Sequence, residues 1–281
     1  MNVIKDQTYD EERALYNLKD AIVKNCTFAG PQDGESVLKE ARNIEVEDCN
    51  FALRYPMWHD KKYTLKNSIL NELTRAPLWY TSDGVINNTE ITSVKALRES
   101  NNVTVNNCNI DSREFGWKCN NIKVEDTKIN SEYIFFDSNN VEIKNLTFTG
   151  KYSFQYMNNL TITDSILDTK DAFWHSKNVT VKNSIVKGEY LAWFSEGLTL
   201  ENCKIIGTQP LCYCKKLKLI NCEMIDTDLS FEYSEVDATI KGHIDSIKNP
   251  KSGKIIVGSV GEIIKENSIM EDTCQIVVNG E

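Results

Sequence analysis

The sequence predicts a right-handed parallel β-helix, an all-β single-stranded solenoid of about eleven coils with a ladder of Asn and Asp at one bend. Three observations carry this. A nine-residue pattern recurs as NVTVNNCNI (102–110), NIKVEDTKI (121–129), NVEIKNLTF (140–148), NLTITDSIL (159–167) and NVTVKNSIV (178–186). Its spacing is 19 residues, seven times in succession from Asn88 to Asn221. Its apolar residues alternate with polar ones, the period of a strand.

The polar residue at the centre of each copy anchors the register. The anchors are Asn25, Asp48, Asn67, Asn88, Asn107, Asp126, Asn145, Asp164, Asn183, Asn202 and Asn221, the earlier steps being 23, 19 and 21 residues. Two before each stands a branched aliphatic such as Val105, Val124 or Ile143, and four before it a mostly apolar column that includes Val103, Ile122 and Val141. Three after it comes another apolar column (Phe28, Phe51, Ile110, Ile129), and one after it a small residue, Cys, Ser or Thr, with Leu146 the exception. The inward pattern therefore changes phase at the anchor, which requires a bend. Asn and Asp suit such a bend, because they tolerate left-handed backbone and their side chains bond nearby amides.

Other solenoids fit less well. No repeat holds an amphipathic helix, leucine-rich repeats place Asn three residues after the last inward leucine, and a left-handed β-helix favours multiples of six. Residues 1–20 read as an N-terminal cap with room for a short helix, 21–234 as regular coils, and 235–281 as C-terminal coils and cap. With no Pro- or Gly-rich linker between these parts, the expectation is a single domain over 1–281.

The chain carries 41% apolar residues and a net charge of −9. That balance argues against nucleic acid or an anionic membrane as partner. No stretch approaches the roughly 18 apolar residues of a membrane span, and the N-terminus shows no apolar run of the kind a signal peptide needs. Nine cysteines, an odd number, point to free thiols and a cytoplasmic setting. Cys203, Cys212, Cys214 and Cys222 cluster, but C-x-C is not a zinc knuckle and their column uses Cys, Ser and Thr interchangeably, so no metal and no cofactor are expected.

The rest of each coil is where function can be written. Nine before the anchor, one column holds all five tryptophans, Trp58, Trp79, Trp117, Trp174 and Trp193, together with Phe136. The other occupants are Lys39, Arg98, Gln155 and Cys212. Thirteen before it runs a basic column that includes Arg54, Arg75, Arg113 and Lys151. The tryptophans could fill the interior, but the apolar column just before them points inward, so alternation favours the outside. Burying Lys39 and Arg98 would also be costly. Yet the next column, with Glu40, Glu99 and Asp137, then falls nominally inside, and neither phase is clean. An outward column would offer aromatic faces beside arginines, which suits the rings and carboxylates of an anionic oligosaccharide. Acid–base candidates are His59 with Asp60, His175 with Asp171, and Glu99 beside Arg98.

The runs DEERALY (10–16), LRYPMWH (53–59), RAPLWY (75–80), TKDAFWH (169–175) and HIDSIKNPKSGKI (243–255) resemble a microbial family of right-handed, pectin-lyase-like β-helix proteins of unknown function. That resemblance spans nearly the whole chain and implies the fold, with no activity to transfer. The segments GPQDGES (30–36) and IKNPKSG (247–253) are secondary site candidates, weighed against plain turns. The sequence thus points to a carbohydrate-binding or carbohydrate-active protein, a lyase or glycoside hydrolase if it is an enzyme. The competing expectation is a non-enzymatic scaffold or homo-oligomer using the same face.

Overall fold

A computed structural model describes residues 1–30 and 34–280 of the chain. It is an all-β parallel solenoid of about fourteen turns, about 19 residues apart. Among the described residues the only helix is a 3-10 turn, Glu72–Thr74, and no helix is long and apolar enough to cross a membrane. Residues fall into two compact units, Met1–Glu142 and Ile143–Glu281.

In the first unit each coil carries a six-residue strand before the anchor and a shorter one after it, as in Asn101–Asn106 and Asn109–Ser112. Each strand pairs in parallel with its counterparts one coil away, so Val103 faces both Gly84 and Ile122. The expected eleven coils fall short partly because residues 1–20 hold a coil rather than a helix. Its strands are Asn2–Lys5 and Thr8–Tyr9, and the bend between them is Asp6, 19 residues before Asn25. Asn25 Nδ2 donates to Asp6 Oδ1 at 2.7 Å.

The second unit repeats this pattern with strands such as Lys177–Lys182 and Ile185–Lys187. It then changes to longer strands, Leu217–Ile225, Glu235–Lys248 and Ser252–Ile264, closed by Gln275–Val278. Asn221 in the first of these is the last regular anchor; the turns after it carry none, which is why the 19-residue count missed them. IKNPKSG is the tight connection between two of the long strands; in GPQDGES, Pro31, Gln32 and Asp33 lie outside the described residues.

All eleven sequence anchors have left-handed backbone, with φ between 47° at Asn88 and 54° at Asp48. The ladder follows: Asn88 Nδ2 donates to Asn67 Oδ1 (2.8 Å), Asn107 to Asn88 (3.3 Å) and Asn202 to Asn183 (3.3 Å). A second ladder, five residues earlier, was not anticipated. There Asn43 donates to Asp20, Asn102 to Asp83, and Asn121 to Asn102.

The left-handed bend makes a test. Asn107→Ala is expected to cost about 1–2 kcal/mol, because a Cβ without a polar tip is strained at positive φ. Asn107→Gly keeps the backbone and loses only the side-chain bond, so it should cost less in urea unfolding. Equal losses would show that the bend does not depend on the conformation.

The small columns are explained by backbone satisfaction. Cys49 N donates to Ser68 Oγ (3.1 Å) and Cys108 N to Thr127 Oγ1 (3.3 Å); in the second unit Ser165 N donates to Ser184 Oγ (3.0 Å). A short side chain with a polar tip caps an amide that the bend takes out of the ladder. The interior is otherwise apolar, with Phe28 stacked on Phe51 at 4.7 Å in the first unit and Phe154 on Phe173 at 5.3 Å in the second. Tyr63 enters this core because its neighbour one coil on is Gly84; a Cβ there would lie 2.2 Å from the phenol ring.

Candidate functional site

The aromatic column sits on a turn that alternation cannot describe. From Met57 on, the residues ten and eight before each anchor have positive φ, as at Leu78 (62°) and Tyr80 (59°), or Phe173 (61°) and His175 (56°). Two left-handed residues in alternation curl the chain so that the residue between them and the one after both stay outside. The tryptophans are accordingly half-buried on the outer side, next to Tyr80, Glu99, Asp137 and His175, which are exposed. This resolves the clash of phases. No Val, Ile or Thr occupies either column from Met57 to Tyr233, the residue types for which positive φ is a genuine outlier.

In the first unit the rings do not present their faces. Trp58 and Trp79 stack on each other at 5.1 Å with planes 2° apart. Arg98 lies between Trp79 and Trp117, its guanidinium 5.0 and 5.3 Å from the two ring centroids, and Phe136 follows Trp117 at 5.1 Å. Arg98 is thus a flat cation inserted in an aromatic stack, the arrangement cation–π attraction favours. In the second unit Trp174 and Trp193 stack at 5.4 Å and 2°. Every indole is also pinned by its nitrogen to the backbone of the following coil: Trp58 Nε1 donates to Ala76 O, Trp79 to Lys95 O, Trp117 to Tyr133 O, Trp174 to Tyr190 O and Trp193 to Gln209 O, at 2.6–2.8 Å. The expectation of a ridge of open faces is therefore corrected where coils stack: Trp58 and Trp79 cover each other, Arg98 covers the facing sides of Trp79 and Trp117, and Trp174 and Trp193 cover each other.

The acid–base candidates separate. His59 points outward and stacks on Tyr80 at 4.8 Å, while Asp60 is buried on the inner side of the same turn. Asp60 Oδ1 accepts from Ala41 N (3.0 Å), the task Ser100 and Ser138 perform for Thr81 and Cys119, and its Oδ2 is buried without a partner. Burial pushes its carboxyl well above the usual carboxylate range. His175 is exposed between Tyr156 and Phe194, 5.0 Å from each ring, whereas Asp171 is buried and its pKa is raised by that burial. Arg98 and Glu99 do meet, at 3.8 Å.

Two arginines of the basic column pair with glutamates one coil away. Arg54 pairs with Glu35 (3.4 Å) and Arg113 with Glu132 (2.8 Å). Lys151 lies 5.3 Å from the Tyr152 ring. Arg75 forms no ion pair among the described residues. It lines a groove of about 330 Å³ in the first unit with Arg54, Glu72, Leu53, Leu73 and Gly34. Arg54 Nε is buried there and has no acceptor. The sequence placed Arg54 and Arg75 in one column; it did not signal Glu72 and Leu73, which the 3-10 turn carries to the same place. Tyr55 adjoins Arg54 (5.8 Å) and also packs against Trp58 (4.9 Å), so the groove opens beside the aromatic stack.

The nine cysteines are free and buried, and among the described residues no group of three or more His, Cys, Asp or Glu side chains is arranged to hold a metal ion. Burial lifts the thiols of Cys49, Cys119 and Cys212 to about 12.

Among solved structures, the chain is similar to the catalytic domain of a GH87 alpha-1,3-glucanase in complex with tetrasaccharides, at 9% identity and a TM-score of 0.32. The match covers 99% of this chain and 64% of that one. It is also similar to the plasmid-mediated fluoroquinolone resistance protein QnrB1, at 10% identity and a TM-score of 0.18, over 84% of this chain and 89% of that one. None of the curated proteins matches. Residues 2–277 match a single family, and the chain belongs to it: the protein family of unknown function DUF3737.

Proposed function

We propose that this protein binds an acidic saccharide in the groove between Arg54 and Arg75. The observation that carries the reading is that Arg54 and Arg75 line one groove together with Leu53 and Leu73, while Arg75 forms no ion pair among the described residues. A ligand carboxylate would pair with the Arg75 guanidinium, which is exposed at the groove. Glu72 supplies an acceptor for sugar hydroxyls. The indoles act as the wall that holds this turn in place, and the saccharide meets them edge-on.

Isothermal titration with oligogalacturonate, and with an uncharged oligosaccharide of the same length, tests this. Only the acidic one should bind, weakening as salt rises. Arg75→Ala should weaken it by about 10- to 100-fold, the range for a charged hydrogen bond. Binding that is absent across acidic glycans, or unchanged by Arg75→Ala, rejects the reading.

A second reading, a protein-binding scaffold, draws on the second unit. There Tyr156 and Phe194 are 49% and 45% exposed within a continuous stack of Tyr156, His175, Phe194 and Tyr213. Light scattering would decide: a stable oligomer dispersed by Phe194→Ala supports the scaffold, and a monomer rules out self-assembly through this face.

A further inference from the structure

The third histidine of the chain lies away from the aromatic column, in the C-terminal turns. The strands Glu235–Lys248 and Ser252–Ile264 run in parallel with His243 opposite Ser259. The imidazole Nδ1 is 2.9 Å from Ser259 Oγ, and its Nε2 is 3.7 Å from Asp245 Oδ1. Asp245 shares the face of His243 because residues two apart on a strand point the same way.

The surroundings keep this cluster open. The register slips between Ile240 and His243, and Gly242 in that slip has φ 74° and nothing within 4 Å of where a Cβ would stand. Gly261 lets the neighbouring strand pass close, since a Cβ there would lie 2.5 Å from Asp245 O. A groove of about 470 Å³ opens at His243 and Asp245 on the side of the preceding strand, where Lys241, Glu223 and Asp226 also line it; Ser259, exposed on the following strand, flanks His243 from the other side.

We propose that Ser259, His243 and Asp245 form a hydrolytic site for small carboxylic esters, with Ser259 as nucleophile. This stands apart from the saccharide reading, which concerns other residues. The Ser259 hydroxyl donates its proton to His243 Nδ1 as Oγ attacks the ester carbonyl carbon. Lys241, which lines the groove beside His243, is the cation available to the negative charge that develops on the carbonyl oxygen. The tetrahedral adduct collapses, the bond to the leaving alkoxide breaks, and Nδ1–H returns its proton to that alkoxide. Water then gives a proton to Nδ1 and its hydroxide to the acyl carbon, releasing a carboxylic acid and restoring the Ser259 hydroxyl. Asp245 is a positioning residue: it favours the tautomer with the proton on Nε2, leaving Nδ1 free to act as base. Three carboxylates around the groove select neutral or cationic esters over anionic ones.

The test uses the full chain and a fluorophosphonate probe, with the modified peptide located by mass spectrometry. The adduct is expected on Ser259, absent in Ser259→Ala, and formed at least 100-fold more slowly in His243→Gln. Glutamine can still bond to Ser259 across the strands, so that variant removes the base and keeps the pairing. Asp245→Asn should lower kcat for p-nitrophenyl acetate about 10-fold with KM unchanged. A protein left unlabelled at Ser259, or labelled at the same rate in His243→Gln, would mean that the pair is an ordinary cross-strand hydrogen bond, and the proposal falls.

Discussion

Replacing Trp79 by Ala is expected to cost the first unit about 3–5 kcal/mol, the range for removing a large aromatic from a packed site. Its indole stacks on Trp58, carries the Arg98 guanidinium on its other face and donates to Lys95 O at 2.7 Å. The truncation removes all three and leaves Arg98 with one ring instead of two. Trp79→Phe keeps a ring in the stack and gives up the hydrogen bond, so it should cost about 1–2 kcal/mol. Urea unfolding followed by circular dichroism measures both. A Trp79→Ala loss below about 1 kcal/mol would mean that the faces are not bound into the stack. The aromatic column would then return as a platform for sugar rings.

Replacing Asp60 by Thr is expected to stabilise the protein at pH 7 by about 1–3 kcal/mol, the cost of a buried polar atom without a partner. The threonine hydroxyl can accept from Ala41 N as Ser100 does from Thr81 N, and its methyl takes the place of the orphaned Oδ2. The gain should depend on pH in a definite direction. Burial raises the Asp60 pKa in the folded protein, so the folded state binds more protons than the unfolded one above the unfolded value of about 3.9. Wild-type stability therefore falls, through this group, as pH rises from there through the folded pKa. The advantage of Asp60→Thr should be smallest near pH 3 and should grow toward neutrality. Unfolding midpoints of both proteins between pH 3 and 8 would show it. An advantage that shrinks with rising pH would place Asp60 in the ionised form, held by a favourable partner.

Much of the coil was legible because each of its cues is local. Left-handed backbone at Asn88 or Asn107 follows from the conformational tolerance of Asn, and the Ser, Thr and Cys after it follow from an amide that needs a short acceptor. The second ladder is equally present in the sequence, at Asp83 before Gly84, Asn102 before Val103 and Asn121 before Ile122. Alternation alone does not mark it, because those residues look like ordinary outward positions of a strand. The turn bearing the tryptophans fits neither phase of a strand for a related reason, although its outward placement is as expected. Alternation assumes extended backbone, and Leu78 and Tyr80 are both left-handed. The absence of β-branched residues from their two columns was the available signal.

The candidate sites were legible only as columns. Arg54 and Arg75 share a column, but their groove also needs Leu73 and Glu72, brought in by a 3-10 turn that breaks the repeat. His59 and Asp60 are neighbours in sequence and lie on opposite sides of the turn. His243 and Ser259 are 16 residues apart in turns that have left the 19-residue spacing, so no periodic argument could pair them.

The sequence by itself determined the repeat, the bends and the inward residues, because each depends on backbone preference and polarity at one position. Tertiary structure decided what the tryptophans do. Parallel strands stand roughly 4.7–4.9 Å apart, close to the 5.1 Å between Trp58 and Trp79. Indoles repeated at that spacing cover one another, and the same registry that gathers them on one side also closes their faces.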